Sequence, residues 1–320
     1  MKRFGRTRLI LASLLPQRRA PDPRHALPEA DKRLSGRTIV FTGGTDGMGR
    51  VAVQMLYEMG ATVVLLGRDD AKGQRVTAEI ESSGRAGAVG FQRCDLSSMT
   101  SVRRCAARIL ADYDRVDVLV NCAGANVASR RLTKDGFEAN WAINFLGPFL
   151  LTNLLLDRIV QSAPARIVNL SSAGEAMGHI HFEDLQLERG FTVEGAYAQA
   201  KLAINMFTID LARRLRGTGV TVNALNPGFI KSNLLREHKG FRALSRPMMR
   251  MVASPPEVGA DRIVRLAISS EYEGVSGEFV YEDTVRPPNA EAEDPDIVAR
   301  LMRVSEGAVA LEGGLPPLRT

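Results

Sequence analysis

Tyr197-Ala198-Gln199-Ala200-Lys201 sets a phenol and an ammonium four residues apart. On a helix that spacing puts both side chains on one face, one turn from each other. A cation so near favours the phenolate, so the tyrosine could exchange protons closer to neutrality than a free phenol of pKa about 10. Taken alone, the same pattern describes a surface pair on any helix. Its meaning depends on whether the rest of the chain builds a site around it.

A second set of residues supplies a reason to think so. Thr38-Ile39-Val40-Phe41 is a short apolar run of the kind that forms a buried parallel strand. It leads into Gly43, Thr45, Asp46, Gly47, Met48 and Gly49, a G-x-x-x-G-x-G loop, and then into helical spacing at Val51, Ala52, Met55, Leu56 and Met59. Thr62 to Leu66 closes a β-α-β unit. In that context glycines let the backbone turn tightly and a pyrophosphate approach, while the helix N-terminus offers oriented N–H groups. The spacing is not that of a P-loop. After the second strand comes Gly67-Arg68-Asp69, without the acid that would bind a free ribose 2′-hydroxyl. The planar fork of Arg68 suits a 2′-phosphate, which favours NADP over NAD. Asp69 has a plainer reading, as the cap of the next helix.

These elements belong to a longer alternation. Helices are expected over about 71–82, 98–112, 140–155 (carrying Asn144), the segment bearing Tyr197 and Lys201, and 256–268. Strands are expected at 88–94, 116–120, 166–170, 220–225 and 278–281. Seven strands joined by helical crossovers describe an α/β fold, one doubly wound parallel sheet with helices on both faces. Ligands of such sheets bind beyond the carboxyl ends of the strands. Gly43, Arg68, Asp95, Asn121, Ser172 and Pro227 all fall at such ends, and unrelated surface residues would not share one rim.

The chain has 320 residues and a net charge of +6. Residues 1–37 hold ten Lys/Arg against three acids, so that segment carries +7 and the remainder −1. The body is therefore not basic, and a nucleic-acid footprint is not expected. Cys94, Cys105 and Cys122 have no metal or disulfide spacing and fit reduced thiols in a cytoplasmic protein. His179-x-His181 lacks a third ligand at a useful spacing, so no metal is expected. Ser172 as a hydrolase nucleophile fails for want of a histidine in a base motif. The start, with Lys2, Arg3, Arg6 and Arg8 before Leu9 to Leu15, reads as a weak signal peptide, a basic amphipathic segment on an anionic membrane, or a loose arm.

Taken together, the motifs resemble the short-chain dehydrogenase/reductase family over about residues 35–285. They are the loop Thr42 to Gly49, the N-x-A-G turn Asn121 to Gly124 (with Cys122 where a second Asn is common), Asn144, Ser172, Tyr197, Lys201, and the turn Pro227-Gly228. Arg166 to Ser172, His179 to Leu185, Lys201 to Ala203 and Leu211 to Leu215 are similar to the retinol dehydrogenase-like branch, as is the long interval from Ser172 to Tyr197. The resemblance implies an oxidoreductase that transfers a hydride between NADP(H) and the alcohol or carbonyl of an apolar, retinoid-, steroid- or lipid-aldehyde-like substrate. It assigns Tyr197 the proton transfer, Lys201 the tyrosine's electrostatics and the nicotinamide ribose, Ser172 the substrate oxygen, and Asn144 a water beside Lys201. Cofactor contacts are expected from Gly43, Thr45, Asp46, Gly47, Met48, Gly49 and Arg68. Further ones are expected from Asp95, Leu96, Asn121, Ala123, Gly124, Tyr197 and Lys201, and around the nicotinamide from Pro227, Gly228, Ile230 and Ser232. A binding or regulatory protein that keeps the fold without turnover is the alternative, to which loss of Tyr197 or Lys201 would have pointed.

Three stretches complete the expected organisation. Residues 1–34 form a basic arm and linker. About 229–256 form a basic, Met-rich lid, which with the arm would touch a membrane surface, making the protein cytoplasmic or peripheral on the membrane. Residues 286–320 form a C-terminal extension with a short helix near 296–305 and a mobile end. Relatives of this kind are often homo-oligomers.

Overall fold

Inner strands of a parallel sheet are covered on both faces, and the first strand meets that demand along its whole length. β1 (Thr38–Thr42) is buried at all five positions, every one of them β-branched or aromatic. The structure, a computed structural model, describes residues 26–84, 87–231 and 253–310. The other strands are β2 (Thr62–Gly67), β3 (Ala88–Arg93), β4 (Val118–Asn121), β5 (Ala165–Leu170), β6 (Val220–Asn226), β7 (Phe279–Tyr281) and β8 (Thr284–Arg286). They lie in the order β3-β2-β1-β4-β5-β6-β7-β8. All neighbours run parallel except β7 and β8. The doubly wound parallel sheet is as expected, but it has eight strands rather than seven. The additional β8 is three residues long, mostly exposed, and follows a turn at Glu282-Asp283 that contains no glycine. Neither burial nor turn chemistry marks it in the sequence.

Helices α1 (Gly47–Glu58), α2 (Asp70–Glu81) and α6 (Pro256–Ile268) cover one face. Helices α3 (Met99–Asp112), α4 (Ala139–Gln161), α5 (Val193–Arg214) and α7 (Pro295–Ala308) are on the other. Their starts follow from side-chain caps. Asp46 accepts from Gly47 N at 2.8 Å, and Asp69 accepts from Lys72 N at 2.9 Å, the plainer role read for it. Trp141, Phe145 and Phe149 on α4 and Phe207 on α5 form a chain of rings with successive centroids 4.6, 5.7 and 4.9 Å apart. Each such contact contributes about 0.5–1.5 kcal/mol beyond burial, and the chain fixes the helix of Asn144 against that of Tyr197. Helix α4 is long and apolar enough to span a membrane, yet most of it is buried in this core.

Two further features frame the site. Helix α4 contains a π-helical turn, Ala142–Leu146, around Asn144. Leu27 and Leu34, ahead of β1, are buried, and Asp31 accepts from the backbone and hydroxyl of Ser270 at 2.8 and 2.9 Å. The arm to residue 25, the lid from Ser232 to residue 252 and the tail from 311 lie outside the described residues.

Candidate active site

The rim begins at the end of β1. Thr42 Oγ1 donates to Val120 O at 3.4 Å and accepts from Ala123 N at 3.0 Å, tying the glycine loop to the N-x-A-G turn. Gly43 has φ +76°, and a Cβ there would lie 2.7 Å from Ala123 Cα and N. Only glycine satisfies both the left-handed backbone and the approach of the two turns. Thus the cradle has the bare backbone a pyrophosphate needs, and this fits a dinucleotide. Thr45 and Met48 are half-buried on the loop, and Asp46 turns its carboxylate to Lys72 Nζ at 2.9 Å.

Arg68 stands exposed at the end of β2, without an ion-pair partner among the described residues. Arg93, the register partner of Gly67, pairs with Asp70 at 3.5 Å. Asp95, half-buried, accepts from Ser97 N and Oγ at 3.0 and 2.7 Å through Oδ1; Leu96 beside it is buried. Asn121 is turned inward, its amide donating to Thr152 Oγ1 at 3.0 Å and Asn169 Oδ1 at 2.8 Å. Its side chain therefore locks β4 to β5 and α4, and Ala123 and Gly124 present the backbone of that turn.

Near the ends of β4 and β5, beside α5, the residues expected to handle protons meet. Lys201 Nζ donates to Leu170 O at 2.7 Å and lies 5.6 Å from the centre of the Tyr197 ring. Gly124 packs close by: a Cβ there would be 3.1 Å from Asn144 Oδ1 and 3.8 Å from Lys201 Nζ. Asn144 accepts from Ala125 N at 3.0 Å and donates to Ala125 O and Asn140 O at 2.8 and 2.9 Å. It thus fastens the turn after Gly124 to the π-turn of α4. Ser172 Oγ accepts from Gly174 N at 3.2 Å and is hydrogen-bonded with the Tyr197 phenol. Ser171 is buried and turned the other way, toward Lys201 O.

Burial, more than charge, governs these groups. Burial pulls the Lys201 ammonium down to about 8, and the Cys122 thiol opposes this weakly. That thiol is itself pushed up to about 12 by burial. The Tyr197 phenol is raised by burial, with its bond to Ser172 acting the other way. The lowering of Tyr197 expected from Lys201 is therefore not the net effect, because the loss of hydration of a phenolate outweighs a cation beside the ring's face. The phenol stays protonated at neutral pH, the form a proton donor needs.

Sequence reasoning overlooked the group that holds the Pro227 side of the rim. Arg262 on α6 donates through Nη1 to Pro227 O at 2.8 Å and through Nη2 to Asp283 at 2.8 Å and Glu282 at 3.3 Å. Arg265, one turn on, pairs with Asp261 at 2.9 Å and with Asp283. Glu282 holds φ +58°, and its N donates to Asn226 O at 2.8 Å. A Cβ on Gly228, whose φ is +84°, would lie 2.9 Å from Arg262 Nη1. Ile230 is buried in a bridge to Ser254; Ser232 lies outside the described residues. His179 and His181 stack edge to face at 4.7 Å, and His179 Nδ1 meets Glu291 at 2.5 Å. Among the described residues no cluster could hold a metal.

The family profile for short chain dehydrogenases matches residues 37–242. The chain belongs to that family. Within it, retinol dehydrogenases are among the relatives. Retinol dehydrogenase 13 of Homo sapiens is 38% identical over 286 residues, covering 87% of this chain and 86% of its own. Retinol dehydrogenase 11 of Homo sapiens is 36% identical over 301 residues, covering 93% and 94%. These place the chain in the retinol dehydrogenase-like branch of the short chain dehydrogenases. Among solved structures, an uncharacterized protein from Mycobacterium Paratuberculosis superposes with a TM-score of 0.72 at 29% identity, over 93% of this chain and all 100% of the other. The Pseudomonas aeruginosa RhlG/NADP active-site complex superposes at 0.64 with 26% identity, over 80% of this chain and 98% of the other. Short chain dehydrogenases are oxidoreductases that use NAD(P).

Proposed function

We propose that this chain is an NADP(H)-dependent oxidoreductase interconverting an alcohol and a carbonyl on an apolar substrate. The observation that carries the reading is the meeting of Ser172, Tyr197, Lys201 and Asn144 at one end of the sheet, beside a glycine cradle suited to a dinucleotide. Bound there, the nicotinamide supplies or takes up the hydride. Tyr197 donates its proton to the developing alkoxide in reduction and takes the alcohol proton in oxidation. Ser172 holds the substrate oxygen at the phenol. Lys201 keeps a positive field at the ring face and has donors left for the ribose, while Asn144 fixes the loop that closes over it. The exposed Arg68, without an ion-pair partner among the described residues, supports NADP over NAD. The retinol dehydrogenase relatives support an apolar substrate. On this reading residues 35–285 are the oxidoreductase domain and 229–256 its substrate lid, with the arm and lid the surfaces for peripheral membrane contact.

The test is NADPH consumption with retinal, steroid ketones and aliphatic aldehydes, run beside Tyr197→Phe. Turnover in the native chain and a loss of about a hundredfold or more in the variant are expected, with NADPH binding retained. Undiminished turnover in Tyr197→Phe would refute the mechanism.

A further inference from the structure

The segment after β8 does more than close the sheet. Ser172 opens a 3-10 turn, Ala173–Met177, that lies against the catalytic phenol: a Cβ on Gly174 would be 3.6 Å from both Ser172 Oγ and the Tyr197 ring. Besides its own 3-10 bonds, the turn is tied by Glu175 N to Ser172 O at 3.1 Å, Gly174 N to Ser172 Oγ at 3.2 Å and Gly178 N to Glu175 O at 2.9 Å, and Gly178 packs closely on α5 at Ala198 and Leu202. A turn this short does not hold its shape by itself. It is clamped from outside by Asn289, a buried residue that begins the C-terminal extension. Asn289 Nδ2 donates to Glu175 O at 3.2 Å and to Gly178 O at 2.9 Å, and Asn289 N donates to the buried Glu175 carboxylate at 2.9 Å. Asn289 Oδ1 accepts from Glu291 N at 3.1 Å, and Glu291 in turn receives Ile180 N at 3.2 Å and pairs with His179. Helix α7 then anchors the segment by burying Val298, Leu301 and Met302 in the main core.

We infer that Asn289 is a positioning residue for the reaction: it sets the Ser172 turn against Tyr197, and so fixes where the substrate oxygen is held. Two features carry this. Asn289 bonds both ends of the turn, Glu175 and Gly178, from a position 114 residues beyond Glu175. The clamped turn carries Ser172 at one end and the exposed Met177 at the other, so it joins the proton-transfer centre to the surface an apolar substrate meets. The role rests on the proposed reductase chemistry, since a misplaced Ser172 matters only if that residue orients a substrate.

The experiment compares the full-length chain with Asn289→Ala and Asn289→Ser, the latter keeping one short donor. For the best substrate of the native protein, Asn289→Ala is expected to lower kcat/KM for the carbonyl by about ten- to a hundredfold, the range for a small displacement of a positioned group. The KM for NADPH should be unchanged, because Asn289 touches no part of the cofactor cradle. The primary isotope effect with NADPH deuterated at the transferred position should rise, and Asn289→Ser should recover part of the loss. Hydrogen exchange should quicken at the amides of 173–178 and not in β1 or β4. A variant with a lower melting point but native kcat/KM and isotope effect would overturn the inference, since a merely structural clamp behaves so. If the native chain turns over none of the carbonyls, the functional reading fails separately, and exchange at 173–178 still decides the clamp: unchanged exchange in Asn289→Ala overturns it.

Discussion

Lys201→Met should separate stability from turnover. Lys201 is only 4% exposed, and burial brings its ammonium from an ordinary 10.5 to about 8. At about 1.4 kcal/mol per unit, holding the charge inside destabilises the folded chain by about 3 kcal/mol at neutral pH. Methionine fills the same unbranched path without the charge, but loses the 2.7 Å bond to Leu170 O, which is worth about 1–3 kcal/mol for a charged donor. At neutral pH the two effects largely offset, leaving the variant about as stable as the native chain or up to about 2 kcal/mol more so. The pH dependence is the sharper consequence. The unfolded lysine keeps its proton up to about 10.5 and the folded one releases it near 8. Between those values the unfolded state binds more protons, so native stability rises with pH. The methionine variant lacks that rise, and the difference in stability, variant minus native, should fall by about 3 kcal/mol from below 8 to above 10.5. Urea unfolding of the cofactor-free chain across this range measures it, with Trp141, the chain's single tryptophan and buried, as the fluorescent reporter. Parallel stability–pH curves for the two proteins would refute a depressed Lys201. Carbonyl reduction should be lost in the variant at every pH.

Arg262→Ala removes the donor to Pro227 and one of two guanidiniums on Asp283. Denaturant unfolding should show a loss of about 3 kcal/mol, the lower end for a broken buried pair, because Arg265 still holds Asp283. The same variant should raise the KM for NADPH more than it lowers kcat, since the Tyr197 side of the rim is untouched. Arg68→Ala should raise the KM for NADPH by about ten- to a hundredfold through the loss of charge-assisted bonds. Its KM for NADH should stay as it was; equal effects on both cofactors would rule out a 2′-phosphate contact.

Much of the fold was legible because its signals are local. The apolar run of β1, the glycines at 43, 47 and 49 and the cap at Asp69 each act within a few residues, so spacing alone reveals them. The tyrosine–lysine pair was visible for the same reason, and resemblance supplied Asn144 and Ser172. The remainder depends on contacts between distant parts of the chain. Arg262 is one of two arginines on its helix until the fold sets Pro227 and Asp283 beside it. Asn289 follows two prolines and looks like linker, yet it grips a turn 114 residues earlier in the chain. Asn121 lies in a recognisable motif, and only packing shows its amide turned into the core. The net shift of Tyr197 was misread because sequence reports the cation's spacing but not the desolvation that outweighs it.

The π-turn at Ala142–Leu146 has a consequence for how one helix can serve two tasks. An α-helix advances about 100° per residue, so one inserted residue rotates everything before it by that angle relative to everything after it. Ahead of the insertion, α4 is phased to the loop over the cradle, where Asn140 accepts from Val127 N at 2.8 Å. Behind it, the helix is phased to the aromatic core through Phe149. Asn144 lies at the change of phase and faces Ala125 while Phe145 beside it faces the rings. A helix without the insertion would have to give up either the polar register or the apolar one. The widened turn lets a rigid core element aim an amide at the site without loosening the core it belongs to.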